Sequence, residues 1–462
     1  MPRPLLVRLT GLAGSSLLAG AAYLGGARDP WEPTVTPRTV LAGENGVLLP
    51  LLWLGGTLLL IGAWLAGRRV VPSVRWAWTT AALWALPLLP VLPLGSYDVY
   101  SYACQGWQQA TGLDPYAQGV GGCPWSEAVA PTWRASTAPY GPVFLILAAG
   151  AVKLGGSLTG TVALLRLIAV LGVIAIGCSL PRLARRAGVP PERAVWLVIA
   201  CPLVLIHLVS GAHNEAVMVA LLTGGLAVAL SGGALLAGVL VGLAIGVKAT
   251  AGVVLPFAIL LIPGSRWRAA LLVAGGAIGA LAVVSIGSGL GLGWLSGLTG
   301  SGVSVQWTSP PTAIGMTLEL LGVPHAVTAT RVAGMIALAF VLLRLWISAF
   351  QGRDPFVYAG YALAATVVLA PVFHPWYALW PLAVLAAVPL RDTRWLVVPC
   401  AVAAALCLPD GYNLALATKA QGAIGMTVLA GYLAWKALHE TNRDSRRPGV
   451  DHSGDPLPGR GA

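Results

Sequence analysis

A single carboxylate, Asp98, stands in the stretch Gly95-Ser96-Tyr97-Asp98-Val99-Tyr100-Ser101-Tyr102, directly after an apolar run. A carboxylate facing an acceptor hydroxyl can act as general base. It can also cap the helix that begins near Val99, since Asp satisfies free N–H groups at helix starts. Tyr97, Tyr100, Tyr102 and Trp107 can stack on a sugar or form an interfacial aromatic belt. His213-Asn214-Glu215 follows Gly211 in a tight turn, where these groups can cap the next helix or form a site. Lys248 interrupts the apolar hairpin Gly246-Val247-Lys248-Ala249-Thr250. It can snorkel to headgroups or present a fixed cation to a phosphate. His374 and Trp376, in Phe373-His374-Pro375-Trp376-Tyr377, can anchor at an interface or contact a sugar or phosphate. Arg134, Lys153, Arg166 and Arg331 are further cations able to meet a lipid phosphate, and Arg134 and Arg331 join Lys248 as candidate phosphate ligands. Asp114, in Gly112-Leu113-Asp114-Pro115-Tyr116, reads as a turn former.

These residues sit in a chain of 462, 57% hydrophobic and 10% charged. Soluble domains carry about 25% charged residues. Several apolar runs reach about 18 residues or more, the length that crosses a hydrocarbon core. They are continuous, without the alternation of a membrane β-barrel. The fold class is therefore an all-α polytopic membrane protein. An ionisable residue at membrane depth is costly, which makes each polar interruption a candidate for function. The net charge of +12 fits Lys and Arg concentrated in cytoplasmic loops. No basic stripe with interleaved aromatics points to nucleic acid. No GxGxxG, Walker loop, HExxH or zinc spacing occurs in a supporting context. Cys104 and Cys123 share one polar loop, and an extracytoplasmic loop would allow them to pair.

The distribution of charge then assigns sides. Arg3 and Arg8 place the N-terminus in the cytoplasm, with the first apolar run retained as a helix. Spans over 47–67 and 76–94 lead out to Asp98. Residues 96–160 form an extracytoplasmic loop with juxtamembrane helices. If 141–156 crossed, Arg182, Arg185, Arg186 and Arg193 would fall outside, against the positive-inside rule. The run therefore lies along the interface or re-enters. This register continues to give about 14 spans, both ends inside, in a transmembrane domain over 1–438. A disordered cytoplasmic tail follows over 439–462. Asp98, Tyr100, Tyr102, His213, Glu215, Lys248, His374 and Trp376 all land on the outer face, and the protein is placed in the plasma (inner) membrane. No internal repeat of the inverted transporter kind is visible.

Several stretches together resemble integral-membrane glycosyltransferases of the GT-C superfamily. They are Ser96 to Tyr102, Gly112-Leu113-Asp114-Pro115-Tyr116, Ala138-Pro139-Tyr140-Gly141-Pro142, His213-Asn214-Glu215-Ala216, Val247-Lys248-Ala249-Thr250-Ala251, Ser309-Pro310-Pro311-Thr312 and His374-Pro375-Trp376-Tyr377-Ala378-Leu379-Trp380. More narrowly, the chain is similar to actinobacterial polyprenol-phosphomannose-dependent α-1,6-mannosyltransferases. The resemblance implies a GT-C-like bundle with an interfacial helix in the first large outer loop. It implies a polyprenyl-phosphate-mannose donor, a glycan or glycolipid acceptor, and Asp98 as the acidic catalytic residue. The paired Asp-Asp or Glu-Asp of some relatives is absent here, so no metal or other cofactor is expected. Lys248 foremost would stabilise charge on the leaving phosphate, and transfer would invert the anomeric carbon. Two alternatives stand beside this: transfer of another lipid-linked sugar such as arabinofuranose, and transport of a lipid-linked sugar without chemistry.

Overall fold

The computed structural model describes residues 2–33, 39, 43, 45–297 and 304–445. Among them the structure is helical, with one isolated β-bridge, Cys407 to Asn413. Helix α1 (Arg3–Gly25) begins with Pro in its first turn, where a missing N–H costs nothing. It pairs with α2 (Leu48–Gly67). Helix α3 (Val74–Ala85) starts at Ser73, whose hydroxyl accepts the Trp76 N–H. It gives way to a 3₁₀ turn at Leu86–Leu88 and then to non-helical chain. The continuous span expected over 76–94 is thus shorter as a helix. Pro87, Pro90 and Pro93 explain this, because each lacks a donor and pushes the residue before it out of the helical region.

The chain then enters α4 (Asp98–Ala110) and, after a loop, α5 (Pro142–Gly155). These two pack closely: a Cβ on Gly106 would stand 2.6 Å from the Ala148 carbonyl carbon. A disulfide joins Cys104 of α4 to Cys123. Helix α6 (Leu158–Arg186) follows a two-residue turn. Helix α7 (Pro191–Ile199) continues into a π-helical segment, Val204–Ser210, bent from it by 65°. An antiparallel pair, α8 (Glu215–Ala229) and α9 (Ala234–Val247), comes next. A 3₁₀ segment, Ala249–Val254, runs into α10 (Leu255–Leu261). The remaining helices of more than four residues are α11 (Arg266–Gly287), α12 (Pro310–Leu320), α13 (Ala326–Phe350), α14 (Pro355–Leu369), α15 (Leu379–Leu385) behind a 3₁₀ turn at Pro375–Ala378, α16 (Arg394–Leu406) and α17 (Lys419–Ser445). Residues 439–445 of the expected tail are therefore helical, and 446–462 lie outside the described residues.

Among the described helices, α1, α2, α6, α11 and α13 are long and apolar enough to cross a bilayer, and the bent pair makes a sixth. Several others are apolar but span 10–17 residues. Large apolar side chains remain exposed on the long helices, including Ile278 and Ile286 of α11 and Ile336 and Phe340 of α13. Lipid, not water, suits such a surface. The chain is a multi-pass membrane protein.

Candidate active site

Gly95, Ser96 and the turn at Asp410 set the position of Asp98. Gly95 adopts φ +73° and donates its N–H to the Pro409 carbonyl at 3.0 Å. A Cβ there would meet the His207 ring at 2.8 Å, so glycine answers both the dihedral and the space. The Ser96 hydroxyl accepts the Asp98 N–H at 3.0 Å. Ser96 thus meets the Asp98 N–H, and the Asp98 side chain makes no capping bond. The carboxylate turns instead into a cleft, its side chain 20% exposed, with Oδ2 3.8 Å from His213 Nδ1.

His213 sits at a constrained turn. Ala212 before it has φ +54°, rare for a residue with a Cβ. The His213 N–H donates to the His207 carbonyl at 3.1 Å. Its imidazole lies 3.7 Å from Glu215 and 3.3 Å from the Tyr102 hydroxyl. Glu215, the first residue of α8, pairs with Lys248 at the end of α9. The Lys248 ammonium lies 4.3 Å from the Tyr377 ring centre and 5.2 Å from that of Trp380, a cation–π arrangement. Burial pulls the ammonium pKa down, but the Glu215 carboxylate and the Tyr377 hydroxyl carry it to a net rise above the ordinary lysine value. Lys248 is therefore charged wherever the protein works.

The cleft has a volume of about 590 Å³ and a mixed lining. Asp98, Ser101, Gln105, Tyr140, Lys248, His374 and Trp376 supply polar and aromatic groups. Met335, Leu338 and Leu342, three and four residues apart on α13, give an aliphatic wall, and Val253, Val367 and Val372 add to the apolar lining. His374 stacks on Trp376 with ring centres 4.8 Å apart. Burial pushes the His374 imidazole down to about 4, so it is neutral at physiological pH. Among the described residues no three His, Cys, Asp or Glu side chains are grouped to hold a metal ion.

The residues singled out from sequence divide clearly. Asp98, Lys248, His374 and Trp376 line the cleft. Tyr102, His213 and Glu215 are buried behind Asp98 and Lys248 and do not line it. Tyr100 is buried with its hydroxyl donating to the Ala27 carbonyl at 2.7 Å, away from the cleft. Arg134 donates to the carbonyls of Val129 and Glu127, both at 2.9 Å, and closes its own loop. Arg331 donates to the Thr312 hydroxyl and the Ser304 carbonyl, one turn before cleft-lining Met335. Arg166 holds the carbonyls of Ser210 and Leu89. Asp114 makes the turn read from sequence, accepting the Tyr116 N–H at 2.8 Å. His207 is not singled out from the sequence, and Tyr377 and Trp380 are read there only as part of the stretch His374 to Trp380, with no role of their own. His207 lies inside an apolar run, with no local signal beyond its polarity. Tyr377 and Trp380 carried one: two aromatics three apart share a helical face.

A model of the family "Alpha-(1->6)-mannopyranosyltransferase, N-terminal domain" matches residues 8–264, and one of the "MptB C-terminal domain" matches 311–437. The cleft draws on both: Asp98 and Lys248 lie in the first match, His374 and Trp376 in the second. Alpha-(1->6)-mannopyranosyltransferase A of Mycobacterium tuberculosis is 36% identical, over 83% of this chain and 80% of that protein. A probable alpha-(1->6)-mannopyranosyltransferase of Mycolicibacterium smegmatis is 33% identical, over 82% and 78%. Alpha-(1->6)-mannopyranosyltransferase B of Corynebacterium glutamicum is 30% identical, over 66% and 58%.

Proposed function

The chain belongs to the alpha-(1->6)-mannopyranosyltransferase family, and we propose that its cleft joins mannose from a polyprenyl-phosphate-mannose donor to a glycan or glycolipid acceptor. The protein is a glycosyltransferase. The observation that carries the reading of donor and mechanism is the meeting of charged groups and an aliphatic helix face in one cleft. Asp98 and Lys248 line it, and so do Met335, Leu338 and Leu342 of α13. A donor with a sugar phosphate at one end and a hydrocarbon at the other needs both.

In this reading Asp98 takes the proton of the acceptor hydroxyl as its oxygen attacks the anomeric carbon. The bond from that carbon to the phosphate oxygen breaks, and its electron pair leaves with the phosphate. Lys248 stabilises the negative charge that gathers there. One displacement inverts the anomeric centre, so a β-linked donor gives an α-mannoside. His374 and Trp376 flank the sugar. Arg134 and Arg331 act further out, holding the loops that border the cleft.

The membrane arrangement belongs to the same proposal. The five long helices, the bent pair, and α3, α8, α9, α10, α14, α15, α16 and α17 together make about 14 crossings of the plasma membrane. A 14-residue helix covers about 21 Å, and buried flanking chain completes the passage. Helices α4 and α5 lie at the outer interface, with the cleft open to the extracytoplasmic side. Two features support this. The Cys104–Cys123 bond suits an oxidising compartment. Arg182, Arg185 and Arg186 end α6, and Arg266 and Arg268 begin α11, at turns of the chain away from the cleft.

The test is transfer in membranes supplied with polyprenyl-phosphate mannose and an acceptor, followed by linkage analysis of the product. Asp98→Asn should abolish transfer while leaving expression intact. Full activity in that variant removes Asp98 from the chemistry. Movement of the donor across the bilayer with no new glycosidic bond would establish a transporter instead.

A further inference from the structure

Two carboxylates face one imidazole nitrogen. His213 Nδ1 lies 3.8 Å from Asp98 Oδ2 and 3.7 Å from Glu215 Oε2. The Tyr102 hydroxyl oxygen stands 3.3 Å from the same nitrogen. An ionised carboxylate only accepts hydrogen bonds, so a nitrogen set between two of them carries the proton. His213 itself has no accessible surface and does not line the cleft. It therefore acts on substrate only through its neighbours. Those neighbours come from every element packed around it. Asp98 and Tyr102 belong to α4, and His207 to the bent segment, with ring centres 5.4 Å apart. Glu215 starts α8 with Lys248 paired to it, and the Trp376 ring lies 3.9 Å away with His374 stacked beyond.

Resting on the reading of Asp98 as base and Lys248 as phosphate ligand, we propose that His213 is a positioning residue that couples the two. During transfer, negative charge disappears at Asp98, which gains the acceptor proton, and appears on the phosphate beside Lys248. At rest the Lys248 ammonium is engaged by Glu215. For Lys248 to turn to the phosphate, Glu215 needs another donor in a buried site. His213 Nδ1–H, 3.7 Å from Glu215, supplies it once Asp98 is protonated and no longer draws it. The imidazole then shifts from its place between the two carboxylates into a hydrogen bond with Glu215 as the ammonium passes from Glu215 to the phosphate. His213 keeps its proton throughout, and no bond to it forms or breaks. The arrangement ties proton removal at one end of the cleft to charge stabilisation at the other.

The experiment is the pH profile of kcat/KM for the purified full-length chain in lipid nanodiscs, with a lipid-phosphate mannose donor. The acid limb reports protonation of the base. His213→Phe removes the imidazole that stands 3.8 Å from the Asp98 carboxylate, so the limb should move up. His213→Gln keeps an N–H and should move it less. Glu215→Gln removes a neighbouring negative charge and the competitor for Nδ1–H, so the limb should move down. kcat should fall about tenfold in His213→Phe, on the order of one lost hydrogen bond to a charged group. A residue that only supports the fold would lower the rate at all pH values without moving the limb. An unmoved limb, or one that moves the same way in the His213 and Glu215 variants, overturns the coupling. Size-exclusion elution confirms that each variant is folded, and any one folded variant decides the sign of its own shift. Asp98→Asn, run beside them, separates the two failures. An inactive Asp98→Asn with unmoved limbs removes only the role of His213, whereas an active one removes the base.

Discussion

Glu215 and Lys248 meet as an ion pair across the open end of the α8–α9 hairpin, and only Lys248 reaches the cleft, its side chain 14% exposed. The carboxylate is fully buried behind it. This division explains why one member can bind a ligand while the other cannot.

Lys248→Ala leaves the Glu215 carboxylate buried without its ammonium. Removing one partner of a buried pair costs about 3–5 kcal/mol, so the melting temperature in detergent should drop sharply. The double variant Lys248→Met with Glu215→Gln should recover most of that stability and remain inactive. Recovered activity in the double variant would show that no cation is needed at the phosphate.

Leu338 lines the aliphatic wall and is nearly buried. Leu338→Trp should obstruct the groove and raise KM for a long-chain lipid donor about tenfold, a change of about 1.4 kcal/mol. A donor with a short alkyl chain should be affected less. Equal effects on both donors would place the lipid elsewhere.

The sequence reading located the charged part of this site for a physical reason. Ionisable groups in apolar runs are costly, so Asp98, Glu215 and Lys248 stood out, and the structure brings them together around His213. The contacts of the arginines were not readable in the same way. Arg134 and Arg166 are long side chains that close on carbonyls, and which carbonyl is near depends on packing. The choice between Tyr100 and Tyr102 was equally hidden. They lie two residues apart on one helix, so they point to different sides: Tyr102 toward His213 and Tyr100 toward Ala27. The end of α3 is marked by Pro87, Pro90 and Pro93, which a span drawn on apolar length over 76–94 passes over.

His374 gives a pH prediction with a definite sign. Its folded pKa is about 4, against about 6.5 in an unfolded chain. Between those values the unfolded state binds more protons, so its contribution is fully present above pH 6.5 and is lost as pH falls toward 4. His374→Gln should flatten the fall in melting temperature over that window. An unchanged slope would mean that the imidazole is not held neutral. Between pH 5 and 8 the shape of the activity profile should survive the same substitution.

The turn between α5 and α6 tests which side the cleft faces. Thr159, in the first turn of α6, is exposed. In a Cys178→Ser background, Thr159→Cys should react with a membrane-impermeant maleimide added to intact cells. Reaction only after the cytoplasmic side is opened would make α5 a crossing helix and reverse the register that follows.

The pairing across the α8–α9 hairpin also bears on how the chain reaches the membrane. Glu215 and Lys248 are 33 residues apart, close enough to meet before Tyr377 and Trp380 have been synthesised. Separately, each charge would resist partition into hydrocarbon. Paired, they present one neutral unit, and inserting the hairpin in that form would cost less than inserting either charge alone.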